Sequence, residues 1–170
     1  MESKQNLRLI IRKIINEVFH DVKSETNYHC EKTSSHSICK FNYEGHEYGV
    51  IFRKIDETPE IFIKGENILK AFDTATNKYL IDFGVIINNE IDTKTTTNFQ
   101  NPFSVIKTVI VIVKDFIKDN NVQILGYFAE EKRARVYKSI YDNLLKDDFV
   151  LYQKKQNEFF PTYFIKKDLL

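Results

Sequence analysis

The sequence has few of the features that mark specialised classes of protein. It has two cysteines in 170 residues, Cys30 and Cys39, too few for a disulfide scaffold. They fit a reducing cytoplasm, with a single bridge as the open alternative. The formal net charge is only +1 and the charges are interspersed, so nothing draws the whole chain towards nucleic acid or an anionic membrane. Internal repeats and low-complexity segments are also lacking.

Two further absences concern location. No apolar run approaches the length needed to span a bilayer. Arg8, Arg12 and Lys13 interrupt the N-terminal apolar residues, unlike in a signal peptide. We therefore expect a soluble intracellular protein that is not secreted through a signal peptide.

The chain does contain enough apolar material for one core. Its length suits a single domain over residues 1–170, which would bury roughly two thirds of its unfolded surface. Fourteen Phe and nine Tyr predict a core rich in aromatic rings.

The clearest helical pattern lies within residues 1–24, where apolar residues recur three or four positions apart. They are Leu7, Ile10, Ile11, Ile14, Ile15, Val18, Phe19 and Val22. The helix either packs on the protein's own sheet or is peripheral, in which case it docks into a partner or pairs with itself through Leu7, Ile11, Ile14 and Val18. A membrane-surface helix is a weaker alternative, since Glu17 and Asp21 dilute its basic face.

Alternating residues in the first half of the chain predict strands. Residues 24–37 are polar and predict a loop. Two antiparallel strands follow, around residues 39–43 and 48–52, with a turn at 44–46, and a longer strand covers Tyr79–Ile87. Residues 60–64 are expected to be extended, and residues 66–72 to form a short helix.

Residues 101–145 predict a helix, a strand and a helix. Asn101 can cap the first helix and Pro102 suits its first position, while Asn120 and Asn121 end it. A buried strand is expected at 122–128, a second helix from about Glu130, and a closing hairpin at 149–153 and 159–166.

Together these elements predict an α+β fold. We expect an antiparallel sheet of about five to seven strands covered by two helices, plus the N-terminal amphipathic helix. The polar loop at 88–101 is longer than a connection requires, so it is either functional or simply mobile.

Potential metal ligands gather between residues 29 and 46. They are His29, Cys30, His36, Cys39 and His46. The spacing lacks the paired cysteines of a zinc finger and Cys39 faces inward on its predicted strand, so we expect a structural cysteine, surface histidines and neither metal nor cofactor. A zinc site and a Cys–His nucleophile pair are the alternatives.

A basic cluster opens the second predicted helix, at Lys132, Arg133, Arg135 and Lys138. Glu130 and Glu131 precede it, so we expect a solvated face and no nucleic-acid partner. The alternative is contact with phosphates or RNA, for which the candidates are Lys132, Arg133 and Arg135 together with Asn98 and Asn101 of the preceding loop.

The stretch ending in YFAEEKRARVYKSIYDNLLKDDFVLY resembles the second half of GNAT-type acetyltransferases. Ala134 and Tyr137 take the places of that family's A-x-x-L-Y helix. The resemblance implies a coenzyme A site, but the glycine-rich turn that would hold its pyrophosphate is replaced by TTTNFQNPFSV, where Pro102 removes an amide. It therefore implies a shared fold without the family's cofactor site.

Residues 79–145 also resemble a group of small domains of Bacteroidota and their phages. That pattern is a Y-x-x-x-F-G strand, an Asn-rich loop, a V-x-x-T-V-x-x-I-V-x-x-F helix and an R-x-R-x-Y helix. It is matched by Tyr79, Phe83, Gly84, Asn98, Asn101, Val105, Thr108, Val109, Ile112, Val113, Phe116, Arg133, Arg135 and Tyr137. This resemblance implies a common fold and no particular activity.

We therefore expect a non-enzymatic phage or mobile-element accessory protein that acts through protein contacts. It would be a virion component or an inhibitor of a host defence system, in the host cytoplasm or the virion, with a protein partner or a second copy and no membrane. The alternative is a GNAT-like acyltransferase or a small-ligand-binding protein that uses the loop at 88–101.

Overall fold

The computed structural model describes residues 27–57, 65–92, 102–128, 131–153 and 162–170. Within these ranges one mixed sheet of eight strands carries three helices, which confirms the α+β class. The strands are β1 (Tyr28–Lys32), β2 (His36–Tyr43), β3 (His46–Lys54), β4 (Lys78–Ile87), β5 (Glu90–Asp92), β6 (Ile124–Tyr127), β7 (Phe149–Tyr152) and β8 (Thr162–Lys166). The helices are α1 (Glu66–Thr74), α2 (Pro102–Asp119) and α3 (Glu131–Ile140), the last extended by a π-helical turn at Tyr141–Leu145, and a 3₁₀ turn covers Lys167–Leu169.

The strand order is β1-β2-β3-β4-β6-β8-β7, with β5 added to β4. All pairs are antiparallel except β4 and β6, which run in parallel with Ile81 opposite Tyr127. The expected sheet of five to seven antiparallel strands was therefore wrong in its count and in one pairing. The reason is α2, which carries the chain back along the sheet so that β6 starts at the same end as β4.

Helix α2 begins and ends where the sequence predicts. Pro102 is its first residue. At the other end Asn121 takes a left-handed conformation, with φ of 45°. The N–H of Val122 donates to the carbonyl of Ile117 at 3.1 Å, which closes the helix with a Schellman motif.

Helices α2 and α3 cover one face of the sheet, as predicted. The core between these helices and the sheet is aromatic and aliphatic. Its fully buried members include Val50, Phe52, Val109, Ile110, Val113, Leu125, Tyr137, Ile140 and Phe164. The rings of Phe52 and Phe116 stack face to face, with centroids 3.7 Å apart.

Helix α1 packs on the opposite face. The predicted helix at 66–72 is confirmed and extends to Thr74, but its placement on the second face was not foreseen. Phe72 meets Tyr163 edge to face at 4.9 Å. The ammonium of buried Lys78 donates to the carbonyl of Phe72 at 2.7 Å, which ties the end of α1 to β4.

The first part of the predicted loop at 88–101 is a hairpin. Asn88 and Asn89 both have positive φ, 52° and 64°, as the tightest hairpin turns require, and β5 returns along β4. Gly49 and Gly84 lie opposite each other on β3 and β4, and Ile91 fills the space that their missing side chains leave. The loop prediction was therefore wrong for residues 88–92, and residues 93–101 lie outside the described ranges. The N-terminal helix at 1–24 and the extended piece at 60–64 lie outside them too.

The burial of Tyr163 beneath α1 leads to a prediction for alkaline pH. Burial raises the pKa of Tyr163 to about 12, from the ordinary 10.0. Above pH 10 Tyr163 releases its proton in the unfolded chain but keeps it in the folded protein. The contribution of Tyr163 to the free energy of unfolding is therefore complete below pH 10 and is lost from pH 10 towards pH 12. Urea unfolding at pH 9, 10 and 11 should show this loss, and Tyr163→Phe should reduce it. An equal loss in both proteins would contradict this assignment.

Candidate functional site

Most of the residues singled out from the sequence have no described side chain. Leu7, Ile11, Ile14 and Val18 lie outside the described ranges, as do Asn98 and Asn101. Lys132, Arg133 and Arg135 lie on the first half of α3, where only the backbone is described. Their proposed contacts stay predictions.

The structure instead draws attention to β1, which sequence patterns missed. Residues 24–37 were expected to form a loop, but Tyr28–Lys32 pairs with β2. Four of its five residues are exposed, so the strand lacks the apolar alternation by which strands are recognised. The signal that could have found it is the polar cluster at 33–35, which forms the turn between two extended stretches.

A disulfide between Cys30 and Cys39 fixes β1 to its neighbour. The two residues are directly opposite in the β1–β2 register, with Cys30 exposed and Cys39 buried. Of the alternatives left open by the sequence, the structure has the single bridge. Because it closes a loop between residues only nine apart, it stabilises the hairpin by roughly 2–3 kcal/mol.

The bridge removes both sulfurs as metal-binding thiolates. His36 contacts Thr33 and Ser35 through its Nδ1, at 3.1 and 3.2 Å, and His46 is exposed at the start of β3. In the described part of the chain, no three His, Cys, Asp or Glu side chains converge as ligands would.

Helix α2 holds β1 from one side. The hydroxyl of Tyr28 donates to the carboxylate of Asp115 at 2.6 Å, and the ammonium of Lys32 donates to the Asn120 side-chain oxygen at 3.3 Å. Burial raises the pKa of Tyr28, and the hydrogen bond to Asp115 and the negative charges of Asp115 and Asp119 raise it further. A cleft of about 200 Å³ lies between strand and helix, with the disulfide in its wall.

The Tyr28 contact gives a testable prediction. Tyr28→Phe removes a hydrogen bond to a charged acceptor and leaves the ring in place, so it should lower the free energy of unfolding by about 1–2 kcal/mol. Urea unfolding measures this change. Tyr43→Phe is the control, because Tyr43 is also a half-buried tyrosine packed against this core, at the end of β2, and its change should alter stability by less than about 0.5 kcal/mol. Equal effects would show that the Asp115 contact contributes nothing.

The ladder geometry determines which backbone groups of β1 face outward. Thr33 N–H donates to His36 O at 2.8 Å, so this pair at the turn is hydrogen-bonded. Hydrogen bonding alternates along an antiparallel ladder, so the backbone N–H and C=O groups of His29 and Glu31 also point to β2, whereas those of Cys30 do not. The 4.0 Å Cα–Cα distance from Cys30 to Cys39 agrees with a pair that is not hydrogen-bonded. The N–H and C=O groups of Tyr28, Cys30 and Lys32 therefore point away from the sheet.

No strand within the described ranges pairs with this outer edge of β1. His29, Cys30, Glu31 and Lys32 are all exposed, and none of the segments that the structure describes covers this edge. Glu31 makes a salt bridge of 3.4 Å with Lys40, a contact across the hairpin that leaves the edge uncovered. The site is therefore a short, charged and firmly anchored edge strand.

A second feature lies at the carboxyl ends of the parallel pair. Helix α3 begins just after β6, and α2, which runs back to the start of β6, has its amino end on the same side. Phe128, directly after β6, is 52% exposed. The amino ends of α2 and α3 thus lie on the side of the sheet where this exposed ring follows β6.

None of the helices in the described segments is both long and apolar enough to cross a bilayer. A scan of protein-family models and comparisons with curated proteins and with solved structures found no match to this chain.

Proposed function

We propose that this chain is an accessory protein that works through protein contacts and that the outer edge of β1 is its contact surface. The observation that carries the proposal is the row of outward N–H and C=O groups on Tyr28, Cys30 and Lys32 at the exposed end of the sheet. An open edge strand is a template for a strand from another chain.

The anchoring of β1 supports this role. The disulfide to β2 and the contacts to α2 hold the strand in its extended form before any partner arrives. A preordered edge loses little conformational entropy on binding. The apolar pattern at residues 7–22 precedes β1 by a few residues and could extend the same contact. The resemblance to phage domains is compatible with a virion component or an inhibitor of a host defence system.

The charges on β1 restrict the choice of partner. His29, Glu31 and Lys32 would be opposite apolar or like-charged residues in most strands, which disfavours indiscriminate edge pairing. The edge therefore selects a strand of complementary charge.

Replacing an outward amide tests the proposal. Lys32→Pro removes an N–H that points away from β2, so the β1–β2 ladder keeps its bonds while pairing at the outer edge is blocked. Lys32→Ala is the matched control, since it loses the same side chain and keeps the amide. Lys32→Ala should capture the same partner as wild type, and Lys32→Pro should capture about tenfold less than Lys32→Ala.

The measurement is affinity capture from a Bacteroidota lysate together with sedimentation of the purified protein. A protein that captures nothing and stays monomeric overturns the proposal. So does equal capture by all three proteins.

Binding of a small acidic ligand is a second candidate function, favoured by the parallel β4–β6 pair. Ligands of open sheets bind outside the carboxyl ends of parallel strands, and helix amino ends attract anions. The order β4, α2, β6, α3, β7, β8 is the one on which the acetyltransferase resemblance depends. In this candidate, Lys132, Arg133 and Arg135 contact phosphates and Phe128 contacts an apolar group.

Thermal unfolding with millimolar acetyl coenzyme A tests this candidate. Bound ligand at 100 times its Kd would stabilise the protein by about 2.7 kcal/mol. The effect should be lost in Lys132→Ala/Arg133→Ala but kept in Lys138→Ala, because Lys138 is already paired with Asp142 at 3.0 Å. No rise in melting temperature with wild type rules out the acyltransferase form.

A further inference from the structure

We propose that the occupant of the β1 edge is β1 of a second copy of this chain, paired antiparallel about a twofold axis at Cys30. The inference depends on the proposed function to the extent that the β1 edge is a contact surface, and it adds the partner and the register. An isologous contact of this kind uses the same residues on both copies.

The outward backbone groups limit the possible registers. Hydrogen bonds form only where outward residues are opposite one another, and these are Tyr28, Cys30 and Lys32. With Cys30 opposite Cys30, Tyr28 of each copy lies opposite Lys32 of the other. Every outward N–H and C=O of both strands then has a partner, and all five residues of β1 are paired.

Side-chain complementarity selects this register over its neighbours. Moving the axis to His29 puts the two histidines opposite each other, and moving it to Glu31 does the same for two carboxylates. With the axis at Cys30, His29 lies opposite Glu31 twice, in positions where facing side chains come closest. The strand is thus complementary to itself in one direction and in one register.

Contacts on the helix face favour the same arrangement. Tyr28 is held by Asp115, with Asp119 one helical turn further along α2. Lys32 of the second copy arrives opposite Tyr28, and its ammonium, which donates one N–H to Asn120 of its own chain, has further N–H groups for these carboxylates. The symmetric contact therefore joins an ammonium with carboxylates on one face of the new sheet and an imidazole with a carboxylate on the other.

The size of the interface determines the strength of the association. Two strands of five residues bury much less than the roughly 1,200 Å² typical of stable complexes. We expect a dimer that forms at micromolar or higher concentration and dissociates on dilution.

A cysteine on the axis allows a covalent test. Cys39→Ser frees Cys30, whose Cα would be about 5.5 Å from its mate in a hydrogen-bonded pair, within the range of a disulfide. Copper phenanthroline with dissolved oxygen takes two electrons from the two thiols, which release two protons and form one S–S bond. The expected product is a reducible dimer of the 20.1 kDa chain. Cys30→Ser is the control, since it leaves only the buried Cys39 and should give no cross-linked dimer.

A charge exchange separates specific pairing from random collision. In the Cys39→Ser background, His29→Glu puts Glu opposite Glu31 at both symmetric positions and should slow cross-linking about tenfold. His29→Glu/Glu31→His places an imidazole opposite a carboxylate again and should restore the rate of cross-linking. Sedimentation of the same charge variants with both cysteines intact gives the parallel readout in case Cys39→Ser fails to fold.

The inference is supported if the protein with wild-type residues at 29 and 31 and the His29→Glu/Glu31→His protein both cross-link faster than the His29→Glu protein. Equal rates in all three proteins overturn it, as does a protein that stays monomeric at high micromolar concentration. Capture of a different protein, sensitive to Lys32→Pro, would overturn self-pairing and leave the proposed function standing.

Discussion

Phe52→Ala should lower the free energy of unfolding by about 3–5 kcal/mol, the largest effect that we expect from a single truncation. Phe52 has no exposed surface and its ring stacks on Phe116, which in turn meets Tyr79 edge to face at 5.1 Å. Removing it leaves a cavity between the sheet and α2 that its ring neighbours cannot fill. Urea unfolding should show the loss, and the melting temperature should fall by roughly 6–20 °C.

Phe128→Ala is the matched control for Phe52→Ala. This ring is 52% exposed directly after β6, so its truncation should change stability by less than about 0.5 kcal/mol. If the two variants lose equal stability, the stacked pair is not part of the core.

Gly126→Ala should be a strongly destabilising small substitution. Gly126 lies on β6, and a Cβ there would lie 2.5 Å from the ring of Tyr163 and 2.8 Å from a methyl of Leu80. Both neighbours belong to the core cluster beneath α1, so either the strand must shift or the side chains of Tyr163 and Leu80 must leave their rotamers. We expect a loss of about 2–3 kcal/mol in urea unfolding.

Two further variants test whether crowding is the cause. Gly45→Ala meets no atom within 4 Å but has a φ of +78°, so it should cost only about 1 kcal/mol through backbone strain. Gly126→Ala combined with Tyr163→Ala should lose less stability than the sum of the single changes, because the truncated ring makes room. Additive losses would contradict the crowding.

Local patterns predicted the elements that have a strong signal of their own. Helix α2 has an apolar period, a proline at its first position and asparagines at its end, and the structure has each of these. The strand at Tyr79–Ile87 was found for the same reason, since its alternation places Ile81 and Val85 in the core.

Local sequence patterns do not predict which distant segments pair in the sheet. Strand β1 has only one residue that is not exposed, so what makes it a strand is β2 beside it. The spacing of Cys30 and Cys39 is compatible with either a disulfide bridge or a metal site. The bridge forms because the β1–β2 register places the two cysteines directly opposite each other. The same holds for Gly49 and Gly84, whose purpose is visible only when Ile91 lies over both.

The sequence by itself determined the α+β class, the helix–strand–helix scaffold and an aromatic core, because periodicity and capping are properties of neighbouring residues. Only the tertiary structure decided the parallel β4–β6 pair, the second covered face and the exposed edge at β1. These depend on which segments meet across the sheet, and backbone hydrogen bonding between distant strands leaves little trace in the order of side chains.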